Sequence, residues 1–431
     1  MQKTNVGLIG LGTVGSGVAR ILLDHGDRTA RNAGRVLWLK KVAVRDPSKP
    51  RDCDLPEGVL TESIDEVIND PEIDVVAELM GGVDLAYDVV TRVLAAGKNV
   101  VTANKALVAA RGPELFELAR KHGRTIAFEA SVAGGVPIIS NLSQCLTANQ
   151  VTSLHGILNG TSNFILSKMH EEGSAYSEVV AEAQRLGYAE ADPAMDVDGT
   201  DAAQKLAILA QLAFGAQIDW SDIPRSGIDE VDLLDVQYAQ EMGYRIKLLA
   251  VADLHDGHLD CEVNPALVRA ESQLGAVGGP FNAVLVKGDA VGPLFFYGQG
   301  AGQMPTASAV VADLIDTAVG RTEITMGALN LWSEGTKGVA QADFANSTGK
   351  RYVRLMVEDH PGILAEVTKA FGDEGISIAS VLQKEQLADD DLVPLVIMTH
   401  AASEAATDRA CTKIAALKEC RGEPVKMWVR D

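Results

Sequence analysis

Six residues near the N-terminus, Gly-Leu-Gly-Thr-Val-Gly, constrain the fold more than any other part of the sequence. They lie between an apolar segment, Asn5–Ile9, and a segment with helical periodicity, Val14–Leu23, which predict a strand and a helix. Glycine permits a tight turn and a close approach of a pyrophosphate, which the first N–H groups of the helix can bind. The alternative is a glycine-rich turn needed only for packing. The context favours a dinucleotide site formed by Gly10, Leu11, Gly12, Thr13, Val14 and Gly15.

Strand-like and helix-like segments alternate through the first third of the chain. The residues between Leu23 and Val36 are polar and predict a loop, and a helix is predicted at Leu85–Ala96. Further strands are predicted at Val36–Val44, Val75–Leu79, Asn99–Thr102 and Arg124–Glu129. This alternation indicates an α/β fold, a Rossmann-type doubly wound parallel sheet, over residues 1–137.

The remaining sequence predicts two further domains. Residues 138–303 contain three helical and at least two strand-like segments, so we expect a second domain, of the α+β class. Residues 334–350 are polar and aperiodic, which is typical of a linker. The order βαββαβ over residues 351–431 predicts a ferredoxin-like module.

Composition excludes several classes of protein. With 38 basic and 59 acidic side chains the net charge is −21, which disfavours binding to nucleic acid or to an anionic membrane. No segment approaches the roughly 20 apolar residues of a membrane helix. The five cysteines form no CxxC pair, which argues against a disulfide framework or a zinc site. We therefore expect a cytoplasmic protein.

The end of the second predicted strand is where a doubly wound fold reads the ribose of its dinucleotide. Arg45 lies there, followed by Asp46. A carboxylate at this point favours the 2′-hydroxyl of NAD, whereas a guanidinium can pair with the 2′-phosphate of NADP. Arg45 favours NADP, with Lys40 or Lys41 as further candidates, and NAD stays an alternative. A solvated charge at a strand end is the alternative interpretation of Arg45.

Two lysines are the candidates for proton transfer. Lys105 follows the predicted strand that ends at Thr102, at the edge where doubly wound folds bind ligands. Lys205 lies on a largely apolar helix and shares one stripe of it with Asp198 and Asp201. An ordinary i,i+4 ion pair is the simpler interpretation of Asp201 and Lys205. However, charges on an apolar helix are costly unless they face a polar cavity.

A protonated lysine can donate a proton to a carbonyl oxygen as a hydride arrives. The carboxylates upstream of Lys205, from Glu190 to Asp198, can keep a lysine protonated and can hold a substrate ammonium group. This combination indicates an amino-acid alcohol or aldehyde as the substrate. Neither a cysteine with an obvious base nor histidines at metal-binding spacing offer another chemistry.

The chain resembles homoserine dehydrogenases of the long bacterial type, which carry a C-terminal ACT domain. The resemblance extends from Val6 to Val429 and rests on motifs in the family's order, namely Gly10–Gly15, Thr102–Lys105, Glu129–Pro137, Gly156–Asn163, Gly187–Pro193, Asp196–Lys205 and Gly298–Ser308. It implies NAD(P)-dependent interconversion of L-homoserine and L-aspartate 4-semialdehyde, on the pathway to threonine and methionine.

The resemblance also implies roles for segments and for residues. Residues 138–303 would be the substrate-binding, catalytic and dimerisation domain, and a helix at about 304–320 would pack back on the first domain. Lys205 would be the proton donor and Lys105 would position substrate and nicotinamide. The amino acid would be bound by Glu190, Asp201, Asp196 and Gly187, and Gly302 would approach the cofactor. A monovalent cation, usually sodium, would bind the Glu129 carboxylate and the carbonyls of Val132, Gly134 and Val136.

Regulation and assembly are further implications. The Asp359–Gly362 turn of the ACT domain would take part in an amino-acid pocket, with threonine as the feedback inhibitor, and the chain would form a homodimer or homotetramer. A module kept only for dimerisation is the alternative. Two other functions are alternatives: an amino-acid-sensing protein without chemistry, and an aspartate-semialdehyde dehydrogenase, which would need an activated cysteine.

Overall fold

The structure is a computed structural model of the 431-residue chain that describes residues 1–190, 192–333, 338–384 and 392–430. Ala191 and the first part of the predicted linker, residues 334–337, lie outside the described residues. The chain divides into two compact units. Unit 1 consists of Met1–Gly160, Asp201–Ile223 and Phe281–Ala340, and unit 2 consists of Thr161–Thr200, Pro224–Pro280 and Gln341–Asp431.

The N-terminal part of unit 1 contains a six-stranded parallel sheet with strand order β3-β2-β1-β4-β5-β6. Its strands are β1 (Gln2–Ile9), β2 (Arg35–Ala43), β3 (Leu60–Thr61), β4 (Val75–Glu78), β5 (Asn99–Thr102) and β6 (Ile126–Ala127). Its helices are α1 (Thr13–Asp24), α2 (Gly26–Ala33), α3 (Ile64–Ile68), α4 (Asp84–Ala95) and α5 (Lys105–Lys121). The predicted doubly wound fold is confirmed, and its strand order reverses between β1 and β4, where such sheets bind ligands.

Two local predictions in this sheet were wrong. The segment after α1 was predicted to be a polar loop, but it forms helix α2, which buries only Thr29 and Ala30 and so lacks an apolar stripe. The strand predicted to reach Glu129 ends at Ala127, and Glu129–Ser131 form a single 3₁₀ turn. The backbone N–H of Glu129 donates to Asp313 Oδ2 at 2.8 Å and not to a neighbouring strand.

The middle of the chain contributes elements to both units. In chain order these are α6 (Ile138–Ser140), a π-helical turn (Asn141–Cys145), β7 (Val151–Ile157), α7 (Gly160–Glu172), α8 (Tyr176–Leu186), α9 (Ala194–Val197), α10 (Thr200–Phe214), a 3₁₀ turn (Trp220–Asp222), α11 (Leu233–Glu241), β8 (Tyr244–His255), β9 (His258–Arg269), β10 (Phe281–Gly288), β11 (Gly292–Gln299), α12 (Gln303–Ala318) and α13 (Arg321–Leu329). In unit 1, β10 pairs antiparallel with both β7 and β11. In unit 2, β8 and β9 form a long hairpin.

Helix α12 packs onto the parallel sheet although it lies about 290 residues after α1 in sequence. Its buried residues Ala307, Val310 and Leu314 belong to the same apolar cluster as the side chains of β1 and α1. The two helices approach closely because Gly17 has no side chain: a Cβ atom there would lie 2.9 Å from that of Ala307. The first domain core is therefore completed by a distant segment of the chain.

The C-terminal part of unit 2 has the βαββαβ order expected of an ACT domain. Its elements are a short strand β12 (Ala340–Gln341), a 3₁₀ turn (Phe344–Asn346), β13 (Thr348–Glu358), α14 (Ile363–Asp373), β14 (Ile378–Gln383), β15 (Leu392–Thr399), β16 (Ala402–Ser403), α15 (Glu404–Ala415) and β17 (Val425–Arg430). The antiparallel order is β17-β13-β15-β14, over a core that includes Val367, Phe371 and Ile414. Strand β17 also pairs parallel with β9, where Trp428 lies opposite Ala266.

Two further findings concern the classes of protein that the composition argues against. Within the described residues no helix is both long and apolar enough to cross a membrane. All five cysteines are free thiols, and three of them, Cys261, Cys411 and Cys420, are buried. Burial raises the pKa of Cys411 to about 11, so this thiol stays protonated and unreactive at neutral pH.

A buried ion pair joins the hairpin region of unit 2 to its C-terminal sheet. Asp235 of α11 is fully buried and accepts hydrogen bonds from Arg354 of β13, at 2.6 Å from Nε and 2.9 Å from Nη2. The hydroxyl of Tyr352 donates to the same carboxylate at 2.8 Å. Removing one partner of such a pair leaves an uncompensated buried charge.

We therefore predict that Arg354→Met lowers the free energy of unfolding by about 3–5 kcal/mol. Arg421 offers the matched control, since it pairs with Glu358 on the surface, where both side chains are more than 40% exposed. Arg421→Met should cost about 1 kcal/mol or less. Chemical denaturation of both variants measures the difference, and equal losses would contradict a special role for the buried pair.

Candidate active site

The glycine turn after β1 has the geometry of a phosphate-binding loop. Gly10 has φ of +103°, and a Cβ atom there would lie 2.5 Å from the carbonyl oxygen of Leu79. A Cβ on Gly15 would lie 2.3 Å from the carbonyl oxygen of Gly10, whereas one on Gly12 would meet nothing within 4 Å. Helix α1 begins at Thr13, and no described side chain caps its N-terminus. The open first turn therefore fits the pyrophosphate of a dinucleotide.

Arg45 lies just beyond β2 and is exposed. The carboxylate of the neighbouring Asp46 forms hydrogen bonds within its own turn. It accepts from the hydroxyl and from the backbone N–H of Ser48, at 2.6 and 2.9 Å. These bonds hold the pKa of Asp46 below its usual value. The other basic candidates are already paired, Lys40 with Glu72 and Lys41 with Glu66.

Lys105 is positioned by polar groups at the carboxyl ends of β4 and β5. Buried Glu78 accepts a hydrogen bond from the Thr102 hydroxyl at 2.7 Å, and Thr102 in turn accepts from the backbone N–H of Asn104 at 3.0 Å. The Asn104 side chain caps α5 by accepting from the N–H of Leu107. Lys105 is the first residue of that helix, so its backbone is fixed by this network.

Asp201 lies between two lysine ammonium groups. It is 3% exposed, and its two carboxylate oxygens lie 2.8 Å from Lys205 Nζ and 2.6 Å from Lys105 Nζ. Burial alone would raise the pKa of Asp201, but the charges and hydrogen bonds of Lys205 and Lys105 outweigh it and hold that pKa well below its usual range. The carboxylate is therefore ionised at any pH at which the protein would work.

Sequence reasoning missed two asparagines that complete this cluster. The Asn159 side chain donates to Asp201 at 2.9 Å, and Lys205 Nζ donates to the carbonyl oxygen of Leu158 at 2.6 Å. Asn282 holds that carbonyl with a 3.0 Å hydrogen bond. Gly300 makes room for Asn282, because a Cβ atom there would lie 2.0 Å from its side chain. The repeated glycines from Gly298 to Gly302 are the sequence feature that could have indicated this close contact.

The cluster has the properties of a proton-donating site. An ammonium group has three N–H donors, and Lys205 uses two of them on Asp201 and Leu158. No other acceptor for Lys205 is present among the described residues, so the third donor can serve a substrate oxygen. The Lys205 side chain is 12% exposed, so solvent has limited access to it. Asp201 fixes Lys205 and Lys105 within one ion-pairing cluster.

The expected cation ligands lie on the irregular loop after β6. Glu129 is 3% exposed and accepts hydrogen bonds from the backbone N–H groups of Ile139 and Ser140 at 2.9 and 2.7 Å. Burial raises the pKa of Glu129, and it raises the pKa of nearby Asp313 well above its usual value. Both carboxylates lack an ion-pairing lysine or arginine among the described residues.

The carbonyls of the same loop differ in their partners. Val136 accepts a hydrogen bond from the N–H of Ile138 at 2.8 Å. Val132 and Gly134 are buried, and their carbonyl oxygens accept no backbone hydrogen bond from the described part of the chain. Free buried carbonyls beside a buried carboxylate are a donor set that suits a hard cation. The described residues hold no group of three or more histidines, cysteines and carboxylates suited to a metal.

The other predicted residues occupy separate positions. Gly302, with φ of +113°, precedes α12 in unit 1. Gly187, Glu190 and Asp196 belong to unit 2, where Gly187 ends α8 in a left-handed conformation with φ of +78° and Glu190 is exposed. The carbonyl of Asp196 accepts a 2.6 Å hydrogen bond from the Ser162 hydroxyl. Within unit 1 the structure thus brings Lys105, Asp201 and Lys205 together.

Comparisons with known proteins agree with this geometry. Residues 10–129 match the NAD-binding domain model of homoserine dehydrogenase, residues 137–315 match the homoserine dehydrogenase model, and residues 351–417 match the ACT domain model. A homoserine dehydrogenase of Pseudomonas aeruginosa is 43% identical over 434 residues, which is 100% of both chains. The chain belongs to the homoserine dehydrogenase family. It is therefore an NAD(P)-dependent oxidoreductase that acts on a CH–OH group, and this expectation from the sequence is confirmed.

Solved structures support the same assignment. The crystal structure of a homoserine dehydrogenase from Thiobacillus denitrificans superposes with a TM-score of 0.92 at 42% identity and covers 100% of this chain and 99% of that one. A hyperthermophilic archaeal homoserine dehydrogenase in complex with NADPH has a TM-score of 0.63 at 27% identity and covers 74% of this chain and 98% of its own. The fold class expected from the sequence, including the ACT domain, is thereby confirmed.

Proposed function

We propose that the chain catalyses the reversible reduction of L-aspartate 4-semialdehyde to L-homoserine with NADPH, as a step towards threonine and methionine. The observation that carries this proposal is the Lys205 ammonium, fixed by Asp201 and the Leu158 carbonyl with one N–H left for a substrate oxygen. Family membership supplies the substrate pair, and the glycine turn at Gly10–Gly15 supplies a place for the dinucleotide.

The chemical step needs one proton and one hydride. A nicotinamide cofactor held at the Gly10–Gly15 turn would supply the hydride that reduces the aldehyde carbon. Lys205 donates a proton to the aldehyde oxygen, so the C=O bond becomes a C–OH group and the lysine is left neutral. In the direction of oxidation, neutral Lys205 accepts the proton of the homoserine hydroxyl. Asp201 remains charged throughout and holds Lys205 and Lys105 in position.

For the amino-acid part of the substrate we propose Glu190, Asp196, Asp201 and Gly187. Carboxylates are suitable partners for a substrate ammonium group. Glu190 is exposed, so its carboxylate can exchange water for a ligand without a large desolvation cost. Gly187 supports this role by ending α8 in a left-handed turn, which redirects the chain into the acidic segment.

We further propose a monovalent cation, sodium by analogy with the family, at Glu129 and the carbonyls of Val132, Gly134 and Val136. The support is the pair of buried carboxylates, Glu129 and Asp313, that lack a basic partner among the described residues. A bound cation would offset this buried negative charge. It would hold the loop between β6 and α6 in place, and we assign it no step in the reaction.

Regulation, assembly and location complete the proposal. Threonine would bind at the Asp359–Gly362 turn, where Gly362 begins α14 with φ of +109° and Asp359 accepts a hydrogen bond from Gln383. A homodimer or homotetramer is supported by the edge strand β11, whose Tyr297 is 53% exposed and stacks on Phe281. The free, widely spaced cysteines support a cytoplasmic location.

Lys205→Ala tests the central assignment. Because the variant has no ammonium group at the aldehyde oxygen, we predict that kcat falls by about 10²-fold or more. The dissociation constant of NADPH, measured by fluorescence titration, should stay nearly unchanged. Lys121→Ala is the matched control, since Lys121 is an exposed lysine at the other end of α5 from Lys105.

The same pair of variants gives a pH test of the role of Lys205. Oxidation of homoserine needs neutral lysine, so kcat/KM for oxidation should rise between neutral and alkaline pH in the parent chain and in Lys121→Ala. In Lys205→Ala this rise should be absent. Near-normal turnover of Lys205→Ala, or an unchanged pH profile, would remove Lys205 from the mechanism.

Arg45→Asp tests the choice of cofactor. A carboxylate at position 45 would repel the 2′-phosphate of NADP and can accept from the 2′-hydroxyl of NAD. We predict that the ratio of kcat/KM for NADP over NAD falls by about tenfold or more, which corresponds to the loss of one charge-assisted contact. Arg28→Asp controls for net charge, since Arg28 is an exposed arginine on α2. An unchanged ratio would show that the 2′-phosphate is read elsewhere.

L-Threonine tests the proposed regulation. We predict that it slows homoserine oxidation by the parent chain, and that Asp359→Ala weakens this inhibition while the rate without threonine stays the same. Asp373→Ala, at the far end of α14, should keep the inhibition. Initial rates with and without L-threonine decide the matter, with D-threonine as the control ligand. Absence of inhibition in the parent chain would favour a module used only for assembly.

A further inference from the structure

Unit 1 has a cavity of about 520 Å³ at the amino-terminal edge of the parallel sheet. It is lined by the first residues of β4 and β5 and by the start of β1, so it lies at the sheet edge opposite the glycine turn at Gly10–Gly15. Its walls are mainly polar and include four basic side chains, those of Lys3, Arg35, Lys98 and Arg124. Neither the glycine turn nor the lysine cluster uses this edge.

None of the four basic groups donates a hydrogen bond to a carboxylate among the described residues. Lys98 is 5% exposed and donates to the carbonyl oxygens of Asp70 and Ile73 at 2.6 and 2.9 Å. Arg35 donates to the Thr4 hydroxyl at 3.2 Å and to the side-chain amide of Gln2.

The remaining two basic groups line the cavity more openly. Lys3 Nζ lies 4.4 Å from the centre of the Trp38 ring. The guanidinium of Arg124 lies over Gly97, and its Nη2 would be 3.7 Å from a Cβ atom there. Burial lowers the pKa of Lys98, and this effect outweighs the nearby charges of Asp70 and Asp74, which raise it.

The charge of this cavity opposes that of the chain. The whole chain carries −21, yet the lining holds four basic side chains and one carboxylate, that of Asp74. Asp74 is already used by the backbone N–H of Asn5, at 2.8 Å. None of the four basic groups forms an ion pair with a described carboxylate, whereas Lys40, Lys41 and Arg92 on nearby elements do. Four unpaired cations around one cavity repel each other, and an anion would relieve that repulsion.

A purely structural role explains only part of this arrangement. Helices α4 and α12 both end at the cavity, with Ala96 and Ala318 in its lining, and cations stabilise the carboxyl ends of helices. Lys98 fits such a role because both of its acceptors are backbone carbonyls. Arg124 does not fit it, since its guanidinium has no hydrogen-bond acceptor among the described residues and is exposed.

We propose that this cavity binds a small, multiply charged phosphate compound, with Arg35 and Arg124 as the principal ligands. Guanidinium groups match phosphate oxygens in pairs, and the mainly polar walls suit a polyphosphate group better than an apolar ligand. The volume is within the range of small-molecule sites. A triphosphate chain is the recognised group, whether it is inorganic or part of a nucleotide. The site is separate from the dinucleotide site and does not depend on the proposed reaction.

Calorimetric titration of tripolyphosphate into the full-length chain tests the proposal. Saturating NADP is present throughout, so that phosphate groups cannot occupy the dinucleotide site. We expect one saturable site per chain whose affinity falls as salt is added, because the contacts are charged. The variant with both Arg35→Gln and Arg124→Gln should bind at least about tenfold more weakly. Arg28→Gln and Arg31→Gln together remove two exposed arginines of α2 and should bind like the parent chain.

Further measurements separate the outcomes. Arg124 is exposed, so the single variant Arg124→Gln should keep the melting temperature of the parent chain. A loss of binding in this variant would therefore not come from a folding defect. ATP without magnesium distinguishes the sources: binding like tripolyphosphate supports a nucleotide ligand, and binding of tripolyphosphate alone supports an inorganic one. Absence of saturable binding at low salt, equal binding by the double variant, or tighter binding of citrate than of tripolyphosphate would overturn the proposal.

Discussion

A single buried carboxylate, that of Asp201, determines the arrangement of the reactive groups. Burying a charge is costly, and the cost is offset here by two ammonium groups and an amide that all contact the same side chain. Each contact comes from a different part of the chain: Lys105 begins α5, Lys205 lies one turn along α10 and Asn159 precedes α7. Without Asp201 the two lysines would repel each other, so the carboxylate is what allows two like charges to share one site.

The features that sequence could predict are those fixed by local chemistry. The glycine turn at Gly10–Gly15 is predictable from the sequence because its glycines are required locally: a Cβ atom on Gly10 or Gly15 would clash with the carbonyl oxygen of Leu79 or of Gly10. The parallel sheet and the βαββαβ order followed from short apolar segments at regular spacing. The pairing of Asp201 with Lys205 is a consequence of i,i+4 spacing on one helix, so it too could be inferred before any coordinates were known.

What sequence could not predict depends on contacts between distant segments. Asn282 supports the carbonyl of Leu158 although 124 residues separate them, and no periodic pattern marks such a contact. Helix α2 was missed because its sequence is polar and its stability comes from packing beside β2 rather than from an apolar stripe. Glu129 is not part of the predicted strand because its backbone N–H donates a hydrogen bond to Asp313 on α12. Asp313 also lies far from Glu129 in sequence.

The last strand of the chain has a consequence for how unit 2 tolerates shortening. Strand β17 pairs on one side with β13 and on the other side with β9, so its six residues join the β8–β9 hairpin to the strands of the C-terminal domain in one sheet. A chain that ends before Val425 would expose bare backbone groups along both β9 and β13, and such unpaired edges promote aggregation. Premature stop codons near the end of the gene would therefore be far more damaging than the small number of lost residues suggests.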